Sequence, residues 1–225
     1  MTTRTRTRSV DTPAGEARIT WYPAAGGARL VLALGHGAGG GIEARDLQAL
    51  AAALPGRGTT VALVEQPWRV AGRKVAAAPK VLDEGWRGLW PALAEPGLPV
   101  VAGGRSAGAR VACRTGSALG AAGVLALAFP LHPPGRPERS RAAELTGAGL
   151  PVLVVQGGRD PFGRPEEFPA AGPPAYELLE VPGGDHGFAV PKKGAPTQEE
   201  ALEAVVEGVA DWLDRLAPDA AAAAT

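Results

Sequence analysis

An α/β domain on a mostly parallel central sheet, flanked by helices, is what this 225-residue chain predicts. Three observations carry the prediction. The short apolar runs are nearly continuous rather than alternating, as strands buried on both faces require. Longer stretches with apolar residues at helical spacing separate them. Clusters of glycine follow the strands directly, where a parallel sheet places its ligand-binding loops.

The elements follow in order. Arg18 to Tyr22 reads as an opening strand, and Arg29 to Leu34 (RLVLAL) as a stronger one ended by glycines. Ile42 to Leu54 reads as a helix with Leu47, Leu50, Ala51 and Leu54 on one face. Thr59 to Val64 (TTVALV) is the next strand. Residues 66–81 are irregular and carry Trp68 with a basic trio, Arg69, Arg73 and Lys74. A solvated loop is the expected role of that trio. Leu82 to Ala94, with Trp86 and Trp90, reads as a helix, and Pro99 to Ala102 as a very short strand running into Gly103. The second half repeats the rhythm: helix from Ala107 to Leu119, strand from Val124 to Ala128, loop from Pro133 to Pro137, then strands at Pro151 to Gln156 and Tyr176 to Val181. A last helix from Gln198 to Leu216 starts at a T-x-x-E capping box, Thr197 with Glu200. Its stripe of Leu202, Val205, Val206, Val209, Leu213 and Leu216 is read as core.

Composition narrows the function classes. Glycine (32) and proline (22) together approach the ~25–30% at which disorder becomes the better reading, but 45% hydrophobic residues argue for a buried core. Basic and acidic residues balance at 23 each, which gives no electrostatic case for nucleic acid or an anionic membrane. No apolar run reaches the ~18–20 residues of a membrane span. The one cysteine, Cys113, excludes an internal disulfide and points to a reducing, cytoplasmic compartment; it is expected to be buried and inert. Three scattered histidines make a poor metal set, so neither metal nor cofactor is expected, and nothing argues against a homo-oligomer. Residues 1–16, which alternate Thr and Arg without the apolar core of a secretory signal, read as a disordered lead-in. Residues 17–217 read as one domain and 218–225 as a frayed tail.

Fourteen of the 32 glycines fall in four windows, at 35–41, 103–108, 157–163 and 183–187, each just past a strand. The second window contains G-x-S-x-G between strand and helix. Such a tight turn needs glycines on either side of Ser106, lifts its hydroxyl clear of the sheet, and frees the next backbone N–H to hold an oxyanion. A serine nucleophile needs a base, and His186, late in the chain, stands in the order Ser…Asp…His. Asp160, just past the PVLVVQ run, is the third member, set to orient the imidazole; Asp185 ranks second. The first window is ambiguous. Gly35-His36-Gly37-Ala38-Gly39-Gly40 matches a dinucleotide fingerprint, with Glu65 ending the next strand. It equally fits an oxyanion loop presenting the N–H of Ala38. A dinucleotide site leaves the other three windows unexplained, and a hydrolytic site uses all four. Ala107 and Ala38 are therefore the expected oxyanion donors, with His36, Gly37, Trp68, His132 and Phe162 as candidate pocket residues.

Five strings, LGHGAGG (34–40), GGRSAG (103–108), FPLHPPGRPE (129–138), QGGRDPFG (156–163) and GGDHGF (183–188), resemble a small α/β-hydrolase family. It includes dienelactone-hydrolase-like bacterial proteins, a testis-expressed protein and a subunit of the NSL histone-acetyltransferase complex. The resemblance implies the α/β-hydrolase fold and a Ser106–Asp160–His186 triad. Where the family's elbow commonly reads GGRSMGGR, this chain has Ala107 and Ala109; neither change removes a catalytic group. Dienelactone hydrolases proper use a cysteine where Ser106 stands. Segment 66–81 is too short for a full cap domain. The resulting expectation is a serine hydrolase of a small ester or thioester. A catalytically silent interaction module on the same fold and a dinucleotide-binding protein are the alternatives.

Overall fold

The structure, a computed structural model, describes residues 4–170 and 176–217. Eight strands form one sheet in the order β1-β2-β4-β3-β5-β6-β7-β8. They are β1 (Arg6–Thr12), β2 (Gly15–Tyr22), β3 (Leu30–Gly35), β4 (Thr59–Glu65), β5 (Val100–Arg105), β6 (Gly123–Leu127), β7 (Val152–Gly157) and β8 (Glu177–Val181). β2 runs antiparallel to β1 and β4, and every other pairing is parallel. The helices are α1 (Arg45–Ala53), α2 (Pro67–Val70), α3 (Pro79–Ala94), α4 (Ala107–Thr115), α5 (Ala142–Thr146) and α6 (Gln198–Leu216).

The central strands alternate between two cores. Along β3, Leu30, Leu32 and Leu34 face α1 and α6, while Val31 and Ala33 face α3 and α4. The pattern repeats in β5, β6 and β7. Strands buried on both faces read as continuous apolar runs, which is why the sequence located them. α6 begins as expected: the Thr197 side chain accepts from the Glu200 N–H at 3.3 Å, and Glu200 accepts from the Thr197 N–H at 2.7 Å. Its buried stripe includes Val205, Val206, Val209 and Leu213, and adds Trp212; Leu202 and Leu216 are half-buried.

The disordered lead-in predicted for residues 1–16 requires correction. Arg6–Thr12 is a strand, paired with β2 from Arg6↔Trp21 to Thr12↔Gly15. Val10 is its one apolar side chain and packs against the core; the rest are polar or charged, as suits an edge strand, where charged side chains guard open hydrogen-bonding groups. One Arg6 guanidinium lies 5.9 Å from the Trp21 ring centre. The tail at 218–225 lies outside the described residues. Two predicted helices are shorter than read: residues 54–57 and 117–119 tighten into 3-10 turns, and the segment at 66–81 contributes α2, the first turn of α3 and no cap domain.

Candidate active site

The sheet brings the four glycine windows to one edge, at the carboxyl ends of β3, β5, β7 and β8. β3 and β5 are neighbours although β4 separates them in sequence, so the strand order reverses there. Crevices of parallel sheets form at such a point.

Ser106 occupies the turn between β5 and α4 at φ 53° and ψ −109°. A side chain at positive φ is strained, and the surrounding packing must hold it. Glycines allow that packing. A Cβ on Gly104 or on Gly108 would lie 2.6 Å from the Gly35 carbonyl oxygen, so the elbow and the first loop touch backbone to backbone. The Ser106 hydroxyl donates to His186 Nε2 at 3.0 Å, and His186 Nδ1–H donates to Asp160 Oδ2 at 2.7 Å. Asp160 is fully buried. Its Oδ1 accepts from the Phe162 N–H at 2.8 Å, and Oδ2 also accepts from Gln156 Nε2 at 2.9 Å. Phe162 covers the imidazole, with ring centres 4.3 Å apart. A hydroxyl bonded to an imidazole that is oriented by a buried carboxylate can lose its proton as it attacks a carbonyl.

The histidine loop is anchored from both sides. Asp185, the alternative third member, accepts from the Gly187 and Ala189 N–H groups at 2.8 and 2.9 Å and so shapes the turn. Arg105 donates to the His186 carbonyl. Its Nε lies 3.2 Å from Oδ2 of the fully buried Asp46 on α1. Burial pushes the Asp46 carboxyl above its ordinary range, and Arg105 offsets only part of that rise.

A small cavity beside Ser106 is lined by Gly37 and Ala38 of the first loop, Ala107 and Gly108 of the elbow, and Trp68, Leu82 and Val111 beyond them. Ala38 and Ala107 thus line one space. The Ala107 N–H begins a helix, where backbone donors lack internal partners. His36 and Trp68 also line the cavity, but His36 is fixed in place. Its Nδ1 donates to the Gly37 carbonyl at 2.8 Å, and its Nε2 accepts from the Gln66 N–H at 3.2 Å. Burial lowers its pKa below the ordinary histidine value, consistent with a neutral ring.

His132 is not among the lining residues. Its Nδ1 donates to the Pro133 carbonyl at 3.0 Å, and its Nε2 meets Glu167 at 2.7 Å. Its backbone N–H holds the Phe162 carbonyl at 3.0 Å, so it steadies the loop that covers His186. Glu65 pairs with Arg18 of β2 at 3.4 Å. Cys113 is buried, and burial pushes its thiol up to about 12.

Asp46 and Gln156 were missed in the sequence. Gln156 carried a signal, since it is the polar end of an otherwise apolar, fully buried strand. Asp46 looked like an ordinary first-turn acid. Among the described residues, no cluster of His, Cys, Asp and Glu is placed to hold a metal ion, and no helix is long and apolar enough to cross a membrane.

Residues 27–214 match the model of a family described as alpha/beta hydrolase domain. Similar solved structures include an α/β serine hydrolase without lid from Xanthomonas campestris, with TM-score 0.71 and 20% identity, covering 94% of this chain and 96% of that one. An alpha-beta serine hydrolase homologue from Coxiella burnetii gives TM-score 0.72 at 17% identity, over 93% and 98% of the two chains. Dienelactone hydrolase from Anabaena variabilis gives 0.71 at 18%, over 96% and 99%. These likenesses establish the α/β-hydrolase fold. No curated protein matches the sequence.

Proposed function

We propose that this chain, which belongs to the alpha/beta hydrolase domain family, is a serine hydrolase of small esters or thioesters that works through an acyl-enzyme. The continuous hydrogen-bonded path from Ser106 through His186 to Asp160 carries the reading. Ser106 Oγ attacks the substrate carbonyl while His186 Nε2 takes its proton. The carbonyl oxygen becomes an oxyanion held by the N–H groups of Ala107 and Ala38. His186 then protonates the leaving alkoxide or thiolate as the bond to the acyl carbon breaks. Water, deprotonated by His186, attacks the acyl-enzyme, and the proton returns to Ser106 as the acid departs. Asp160 keeps the imidazole in the required tautomer and stabilises the imidazolium. The scheme uses no cofactor.

The serine hydrolases and the dienelactone hydrolase among the similar structures support this reading by fold. The kinship with the family of the testis-expressed protein and the NSL-complex subunit rests on the five sequence strings. A free, buried cysteine fits a reducing, cytoplasmic setting.

A fluorophosphonate probe tests the proposal. The folded protein should label, and Ser106→Ala should not. An intact protein that never labels and turns over no p-nitrophenyl ester would place the chain with silent modules of this fold.

A further inference from the structure

The cavity beside Ser106 is one of two spaces that share a wall. It is lined by Ala38 and Ala107 and also by Gln66, Trp68 and Leu82. Its free volume is about 10 Å³, the room of about one water molecule. The same three residues line a second space of about 380 Å³, which continues along Pro67, Val70, Ala77 and Val81. That volume is within the range of ligand sites; these four residues are apolar, and Glu16 and Arg73 also line the space.

We propose that Trp68 and Leu82 form a partition that sets acyl-chain length, restricting the enzyme to esters and thioesters of very short carboxylic acids. This rests on the serine-hydrolase reading and names its substrate class. An acyl group bonded to Ser106, with its oxygen toward Ala38 and Ala107, has about one water's room beside Trp68 and Leu82. The partition is held firmly. Trp68 is buried at 5% exposure and stands edge-on to His36, with ring centres 5.4 Å apart. His36 is fixed at both ring nitrogens. Leu82 is 7% exposed in the first turns of α3. Only its backbone carbonyl is bonded to Gln66, at 3.4 Å, so a smaller side chain there keeps that contact. Shortening Leu82 joins the two spaces. A longer chain then passes the gap and gains about fourfold in binding for each methylene it buries against Pro67, Val70, Ala77 and Val81.

The test compares kcat/KM for p-nitrophenyl acetate, butyrate and octanoate in the full-length protein and in Leu82→Ala and Trp68→Ala, with Leu82→Val as the milder change should either fail to fold. Wild type should prefer acetate over octanoate by at least about tenfold, a few methylenes' worth of lost burial. Leu82→Ala should raise the octanoate-to-acetate ratio by about tenfold or more, Trp68→Ala in the same direction, and Leu82→Val by less. A wild type that labels at Ser106 and cleaves octanoate as readily as acetate overturns the partition alone. So does a ratio that stays within about twofold in all variants. A protein that neither labels nor cleaves acetate overturns the hydrolase reading and the partition with it.

Discussion

Arg105 joins the loops around Ser106 to one another, and replacing it by methionine exposes what that joint is worth. Its Nε lies 3.2 Å from a carboxylate with no solvent exposure, and another of its nitrogens donates to the His186 carbonyl. Arg105→Met leaves Asp46 buried without its counter-charge, a change that costs about 3–5 kcal/mol in comparable buried pairs. Against a total stability of ~5–15 kcal/mol for a domain, the variant should still fold. Asp46 can escape part of the penalty by keeping a proton. Burial already holds its folded pKa above the unfolded value, and losing Arg105 raises it further. The folded state then binds more protons than the unfolded state, so stability falls as pH rises above the ordinary carboxylate range. Urea denaturation should therefore show a small loss at pH 5 and the full loss at pH 8. The double variant Arg105→Met/Asp46→Leu replaces the ion pair by apolar groups and should regain most of the stability. It should not regain activity. The His186 carbonyl still lacks its charged donor, worth ~1.5–3 kcal/mol, and kcat/KM should stay about tenfold or more below wild type. A single variant within about 0.5 kcal/mol of wild type at both pH values would refute the buried-pair argument. A double variant with full activity would clear Arg105 of any part in holding His186.

Asp160→Asn should lower kcat by about 10⁴-fold with KM little changed, because an amide has one acceptor atom where Asp160 uses two, Oδ2 for His186 and Gln156 and Oδ1 for the Phe162 N–H, so keeping the Phe162 bond turns the NH2 toward His186 and favours the wrong tautomer; a loss below about tenfold in steady-state kinetics would remove Asp160 from the triad. The pKa of His132 is raised by its hydrogen bond to the Pro133 carbonyl and by Glu167. Its stabilising effect is thus complete below the unfolded value of about 6.5 and is lost as pH rises through the higher folded value. The Tm difference between wild type and His132→Gln should accordingly shrink from pH 6 to pH 8.5, and a gap that widens would reverse the assignment. Gly108→Ala puts a Cβ 2.6 Å from the Gly35 carbonyl oxygen and should cost about 1–3 kcal/mol with a clear fall in kcat. Gly39→Ala, where a Cβ meets nothing within 4 Å, is the matched control and should leave thermal melts and rates unchanged.

Sequence reveals most readily whatever must be paid for locally. The central strands are covered on both faces, so every residue from Leu30 to Leu34 had to be apolar, and the run could be read without its neighbours. The turn at Ser106 is flanked by glycines because its backbone lies against the Gly35 loop with no room for a Cβ. The edge strand at Arg6–Thr12 made no such demand. Its backbone bonds go to β2, and apart from Val10, which packs on the core, its side chains are polar or charged, so alternating Arg and Thr passed for a solvated tail. The histidines show the same division. All three lie in motifs of similar appearance, yet His186 alone meets Ser106, while His36 and His132 spend their ring nitrogens on loop carbonyls, a backbone amide and a glutamate. What separates them is the partner across the fold, which spacing along the chain does not encode. The glycines bridge the two cases. Their clustering behind strands was visible as composition, but its cause is contact between windows: Gly104 and Gly108 press on Gly35, and a Cβ on Gly157 would fall 2.5 Å from the Gly184 carbonyl oxygen. At these contacts a loop carries glycine because another loop lies against it, and that mutual approach helps bring Ser106, His186 and Asp160 within hydrogen-bonding distance.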